Sequence, residues 1–369
     1  MKIPEFEMER MQSTWENLVQ YDMSESGVRP VTLRELAAMG LDLDAALDTP
    51  MGYSQSNGTI PLREHLAAIY PGATVDHIEV TNGTSEANYL VALSTLEPGD
   101  EMAMEVPNYM QLWGVPRSLQ APVRTFRLRP ERQWEPDWDE FEQAVTPRTR
   151  LLYLSNPNNP SGAVLSDEAM RRIVDRCEAT GTWLLADEVY EDLVYQGEHV
   201  SIARFAPERT ITSFSFSKSY GMAGYRVGYL LGPRDVIECA HKLHTHSTYS
   251  AATPSQFAAL AALQGGGAWL AETREQNRRT GSDAARVLGL PAPEGSTFLF
   301  LDVRDRLGER GMLGFLEDVF EDGVVLAPGA SSGRDYEGFV RLCYTAAKPE
   351  DVATAVRLLA KRLGIAALR

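Results

Sequence analysis

Between residues 75 and 235 the chain alternates short apolar runs with stretches of helical periodicity. HIEVTNG, RLLYLSNPNNP, TWLLADEVY, TITSFSFSK and YRVGYLLGP each read as a strand ending in small or polar residues. SEANYLVALSTL and SDEAMRRIVDRCEATG, placed between some of them, repeat apolar residues at helical spacing. Strands that are apolar throughout leave no face for water. The pattern therefore predicts an α/β fold with a largely parallel sheet covered by helices on both sides. Ligands of such sheets sit beyond the carboxyl ends of the strands. Asn159 after LLYLS, Asp187 after WLLA and Lys218 after ITSFSF should then face one cleft.

The pattern changes after residue 265. QGGGAWLAETREQNRR opens a long helix, STFLFLDV and VRLCYTAA read as strands, and EDVATAVRLLAKRL reads as a last amphipathic helix. These elements predict a smaller α+β domain built from residues 1–44 and 266–369, beside a large domain of residues 45–265. A length of 369 residues, beyond the size at which one core stops growing, agrees with two domains.

Composition narrows function more than fold. The 44% hydrophobic and 23% charged residues are ordinary for a globular protein. A net charge of −16 lacks the positive footprint that nucleic acid or an anionic membrane requires, so any anionic ligand must be captured by local groups. Cys177, Cys239 and Cys343 are odd in number and widely spaced, which supports neither a disulfide framework nor a zinc knuckle. The start, MKIPEFEMERMQSTWENL, is acidic where a secretory signal is basic and then apolar. No run approaches the roughly 18 apolar residues of a spanning helix. A soluble, cytoplasmic protein is the expectation.

Two local patterns suggest chemistry. In TNGTSEANYL a strand runs through Gly83 into a helix beginning at Thr84 and Ser85, where unpaired N–H groups and the helix dipole favour an anion. Ser215 and Arg226 would add a hydroxyl and a guanidinium, although many strand–glycine–helix turns are only turns. Lys218 ends a dry, serine-flanked strand. Desolvation beside another cation, such as Arg226 or a cationic ring, would lower its pKa and make the amine nucleophilic. A single lysine at a strand end is also explained by snorkelling to water.

The set decides more than its members. NPNNPSG at 156–162, DEVY at 187–190 and SFSK followed by GYRVG occur in that order with helices between. With these motifs the chain resembles, over nearly its whole length, the class I/II aminotransferases of fold type I, which depend on pyridoxal 5′-phosphate. The resemblance implies that fold, a large domain with a mostly parallel mixed sheet and a smaller α+β domain, and a homodimer with shared active sites. It implies Lys218 as the Schiff-base lysine and proton carrier, Asp187 as partner of the pyridine nitrogen, and Asn159 and Tyr190 as donors to the ring oxygen. Tyr109 would stack on the ring. Gly83, Thr84, Ser85, Ser215 and Arg226 would hold the phosphate, joined by Tyr53 from the other subunit. Arg341 in GFVRLCYT would clamp the substrate carboxylate, near Gly27 and Asn159.

Some features depart from the common pattern. YDMSESGVRPVTL keeps Gly27 but lacks the usual GxPDF form, and is similar instead to the capreomycidine-synthase-like branch. HKLHTHSTYSAATPSQ, residues 241–256, has no arginine after Lys242, where dicarboxylate-specific members place one. The donor expected is thus a neutral, aromatic or basic amino acid. The alternative is an elimination, replacement or cyclisation enzyme with the same cofactor. A third reading, a ligand-sensing regulator, lacks a basic helix-turn-helix pattern. His241, His244 and His246 have no carboxylate or cysteine at ligand spacing along the chain, so no metal site is expected. Packed or solvated histidines explain them better, with a place near the substrate side chain left open.

Overall fold

The computed structural model describes residues 3, 14–15, 18–50 and 52–365. Most of the acidic amino-terminal stretch read above lies outside the described residues. Along the chain the strands are β1 (Tyr21–Asp22), β2 (Ile78–Thr81), β3 (Glu101–Val106), β4 (Val123–Arg129), β5 (Glu135–Pro136), β6 (Thr149–Ser155) and β7 (Trp183–Asp187). They continue as β8 (Thr210–Ser215), β9 (Gly228–Leu231), β10 (Phe298–Asp302), β11 (Val324–Val325), β12 (Ala327–Pro328) and β13 (Phe339–Cys343).

Eight of them form one mixed sheet in the order β2-β9-β8-β7-β6-β3-β4-β5. The pairs β4/β3, β3/β6, β6/β7 and β7/β8 are parallel, and β9 is antiparallel to both β8 and β2. Side chains alternate between two covered faces, as a pleated strand requires. Met102, Met104, Tyr153, Leu185 and Ile211 pack with Leu90 and Val91 of the helix Thr84–Thr95 on one face. Ala103, Leu152, Leu154, Leu184 and Ala186 pack with Met170, Ile173 and Val174 of the helix Asp167–Thr180 on the other. That second helix starts where the Ser166 hydroxyl accepts the Ala169 N–H and stops at Gly181 in the left-handed conformation.

A second core lies against the antiparallel sheet β10-β13-β12 and the parallel pair β1/β11. Leu299, Leu301, Val340 and Leu342 meet Ala284, Ala285 and Leu288 of the helix Gly267–Leu288 and Val352, Val356 and Leu359 of the helix Pro349–Arg362. Leu36 and Met39, on the small-domain side of the boundary read from sequence, pack instead with Leu62, Leu66 and Phe214 beneath the main sheet. They are apolar, and the Leu33–Ala38 helix presents Leu36 as its one buried residue. Among the described residues no helix is long and apolar enough to cross a membrane.

Candidate active site

The carboxyl ends of β6, β7 and β8 are brought level by their register. Ser155 pairs with Asp187, and Asp187 with Ser213. Beyond these ends opens a cleft. Thr84, Ser85, Tyr109, Asn159, Asp187, Tyr190, Ser215, Lys218, Arg226 and Arg341 all line it. Gly83 lies just behind the lining, Gly27 one residue beyond lining Ser26, and Tyr53 outside it, 91% exposed with its ring edge-on to Tyr249.

At one end the cleft has the chemistry of an anion cradle. The helix Thr84–Thr95 points its first N–H groups there, and the buried Thr84 Oγ1 has no hydrogen-bond partner. Gly83 has φ 85 and ψ 170, and a Cβ added to it would lie 2.6 Å from Arg226 Nη2. The glycine thus lets the guanidinium lie against the loop, where it donates to Asn82 O at 3.2 Å and Ala223 O at 3.1 Å. Arg226 itself precedes β9 by two residues in the left-handed conformation, φ 49, where the sequence reading starts the strand at it.

Deeper in, Asp187 is buried and accepts from Asn88 Nδ2 at 3.0 Å, Tyr153 Oη at 3.1 Å and Val189 N at 3.3 Å. Burial outweighs these bonds and raises the carboxyl to about 6, which leaves it mostly ionised at neutral pH. Asn88 is fixed in turn, since the Ser213 hydroxyl donates to its Oδ1 at 2.8 Å. Neither Asn88 nor Tyr153 was legible as functional: one sits inside a helix pattern, the other in an apolar strand.

Lys218 belongs to a single turn, Phe216–Ser219, begun by the Ser215 hydroxyl accepting the Ser217 N–H. Its Nζ donates to Ser26 Oγ at 2.7 Å. Burial lowers its pKa, and the cationic neighbour that adds to this is Arg341, where the sequence reading looked to Arg226. Tyr190 donates to Ser26 O at 3.4 Å, so one short segment touches both groups.

Arg341, 1% exposed, donates from Nη1 to Asn159 Oδ1 at 3.0 Å and from Nη2 to Ser24 O at 2.7 Å, with its Cζ 4.4 Å from the centre of the Phe298 ring. The asparagine loop has its own support. Buried Glu105 accepts from Ser155 N at 2.7 Å, Asn158 Nδ2 at 3.2 Å and Asn108 Nδ2 at 3.3 Å, and burial pushes its carboxyl up to about 8. Nothing in EMAMEV marks that glutamate as internal.

The histidines lie elsewhere. His244 is fully buried with Nδ1 2.7 Å from Glu79 Oε1, and Nε2 stands 3.4 Å from Glu86 Oε2 without hydrogen-bond alignment. His241 reaches the same Glu79 oxygen at 3.2 Å. The fold thus supplies carboxylates that spacing along the chain does not show, and His241, His244 and His246 stay out of the cleft lining.

An anion cradle, an ionised acid, a buried amine of lowered pKa and a fixed guanidinium in one cleft fit a phosphorylated aldehyde with a basic ring and an amino acid beside it. A profile of the family described as "Aminotransferase class I and II" matches residues 17–359. An aspartate aminotransferase of Pyrococcus horikoshii is 31% identical over 352 residues, covering 90% of this chain and 87% of its own. The structure of a PLP-dependent aminotransferase from Streptococcus suis matches with a TM-score of 0.90 at 26% identity, over 99% of this chain and 98% of that one. The PLP-dependent cyclase OrfR matches with a TM-score of 0.89 at 23% identity, over 99% and 98%, a likeness of fold.

Proposed function

Because the chain belongs to the class I and II aminotransferases, enzymes that use pyridoxal phosphate, we propose that it moves the amino group of a neutral, aromatic or basic amino acid, with Lys218 carrying the cofactor aldehyde. The observation behind this reading is the buried Lys218 amine, its pKa lowered by desolvation, in one cleft with Asp187, Asn159, Tyr190 and Arg341. When bound, pyridoxal phosphate supplies an aldehyde for amine capture and a protonated ring that accepts the electrons left at the substrate Cα.

The chain's residues divide the remaining work. Ionised Asp187 keeps the ring nitrogen protonated. Asn159 and Tyr190 donate to the ring oxygen, and Tyr109 covers a ring face. Thr84, Ser85, Ser215 and Arg226 take the phosphate, with Gly83 giving room. Arg341 would receive the substrate carboxylate in a planar fork and so fix the orientation of the Cα substituents. The Lys218 amine would carry the proton at the substrate Cα.

The substrate class follows from charge. Among the described lining residues of this chain the cations are Lys218, Arg226 and Arg341, each already assigned, which supports a donor without a distal carboxylate. The Pyrococcus relative is named for aspartate; here aspartate should be a poor donor. Tyr53, exposed in one chain, would complete the phosphate site of a second copy in a cytoplasmic homodimer.

A spectral screen tests the reading. The loaded enzyme should absorb in the visible, Lys218→Ala should lose that band, and neutral, aromatic or basic amino acids should bleach it with release of the 2-oxo acid. A colourless loaded enzyme would overturn the assignment of Lys218. Loss of a leaving group from the substrate, with no amino transfer, would favour elimination or cyclisation instead. Mixing Lys218→Ala with Tyr53→Phe chains should restore activity, because a mixed dimer contains one site with both native residues; no recovery from mixed dimers argues against sharing.

A further inference from the structure

Glu188, Glu191 and His199 form a second cluster, outside the lining of the cleft. One ligand atom from each, two carboxylate oxygens and an imidazole nitrogen, lie within 4.8 Å of one another. Glu188 is fully buried: one oxygen, Oε1, accepts the Ile202 N–H at 3.2 Å, and Oε2 has no hydrogen-bond partner. The His199 side chain is only 10% exposed, yet neither Nδ1 nor Nε2 has a hydrogen-bond partner. His199 Nε2 and Glu188 Oε2 approach to 3.3 Å without hydrogen-bond alignment, so two potential ligand atoms stand side by side with neither satisfied by the other.

The one ion-pair contact of these glutamates among the described residues is that of Glu188 with the His199 imidazole. Among the described residues neither glutamate forms an ion pair with a lysine or arginine; Arg274, the nearest guanidinium acting on Asp192, is spent on the Val194 and Gly197 carbonyls. Burial, with Asp192 and Glu188 close by, pushes the Glu191 carboxyl well above its ordinary value. A buried carboxylate without a cation is costly, and coordination is one of the few ways to relieve it.

We propose that Glu188, Glu191 and His199 bind one divalent transition-metal ion of the Mn²⁺ or Zn²⁺ class. Two carboxylate oxygens and an imidazole suit such an ion, with water in the remaining positions. Ligand distances of about 2.0–2.2 Å in a tetrahedral site put donors roughly 3.4 Å apart; Glu188 Oε2 and His199 Nε2, at 3.3 Å, already have that spacing, and Glu191 has to move in by about 1 Å. Glu188 follows Asp187 and Glu191 follows Tyr190. The ion therefore pins the outer side of the turn whose inner side presents Asp187 and Tyr190 to the cleft. The expectation of no metal, drawn from spacing along the chain, considered a different histidine cluster; His199, in GEHVS, reaches the glutamates only through the fold.

The test uses the full-length, cofactor-loaded enzyme, stripped of metal and dialysed against Mn²⁺ alone. We expect one tightly held ion per chain, displaced by Zn²⁺, with nitrogen modulation in the Mn²⁺ electron spin echo from an imidazole ligand. Glu191→Gln and His199→Gln should each weaken binding more than tenfold while keeping the visible cofactor band that reports a folded protein. Failure of the wild type to bind a stoichiometric ion, an echo without nitrogen modulation, or banded variants that bind as tightly as wild type would each overturn the proposal.

Discussion

Replacing Asp187 by Asn should make the cofactor-free protein more stable while making the enzyme worse. Burial holds the Asp187 carboxyl at about 6, above the ordinary 3.8, although Asn88, Tyr153 and Val189 all donate to it. A folded value above the unfolded one means that the folded chain binds the proton more tightly between these limits. Stability contributed by the neutral acid is therefore present at low pH and lost as the pH rises through about 4 to 6. A shift of about two units corresponds to roughly 3 kcal/mol of penalty for the ionised form. Asn removes the charge, but its amide would face the Val189 N–H, a cost of about 1 kcal/mol. The net gain, about 2 kcal/mol, is roughly thirtyfold in the folded-to-unfolded ratio. Denaturant titrations of the cofactor-free chains should show the variant ahead at about pH 8 and the advantage gone near pH 4. With cofactor bound, the loss of a charge-assisted bond of about 1.5–3 kcal/mol should lower kcat/KM about 10- to 150-fold. An equal stability difference at both pH values would refute the claim that an ionised, desolvated Asp187 carries the effect.

Two further perturbations probe the ends of the cleft. Arg341→Lys keeps the charge but not the planar fork, so kcat/KM for amino acids should fall about 10- to 150-fold, while amines without a carboxylate lose little; equal losses on both, measured by single-turnover bleaching, would contradict the clamp. Gly83→Ala puts a methyl group where Arg226 Nη2 lies 2.6 Å away and forces alanine to φ 85, a strain of about 1–3 kcal/mol. Cofactor affinity, followed by spectral titration, should drop about tenfold or more, and an unchanged affinity would show that the loop does not hold the phosphate.

The residues legible in the sequence were those at strand ends. Asn159, Asp187 and Lys218 stand where an apolar run stops, and the parallel register carries them to one level. Arg341 was legible through its motif, not its environment. Residues that position these groups were hidden because each looks ordinary in its own element. Asn88 reads as a polar helix residue, Tyr153 as core, and Glu105 as one more charge in an unassigned stretch, and only the packing of helix Thr84–Thr95 and of β3 against β6 gives them partners. Likewise β3 and β4 broke the pattern with charged residues and were not called out as strands, and the reversal of β9 depends on pairing with β2 that no local signal encodes. Ser26 was adjacent to a residue singled out for its glycine, yet it is the hydroxyl that meets Lys218.

The segment from Tyr21 to Val31 is a thread stitched through both lobes. It joins β11 at Tyr21 and Met23, takes Cys343 N at Met23 O, gives Ser24 O to Arg341 and Ser26 Oγ to Lys218, and is tied at Val31 N to Gly221 O. A cut within these few residues would slacken the carboxylate clamp and the amine together, so two functions of the cleft share one covalent strap.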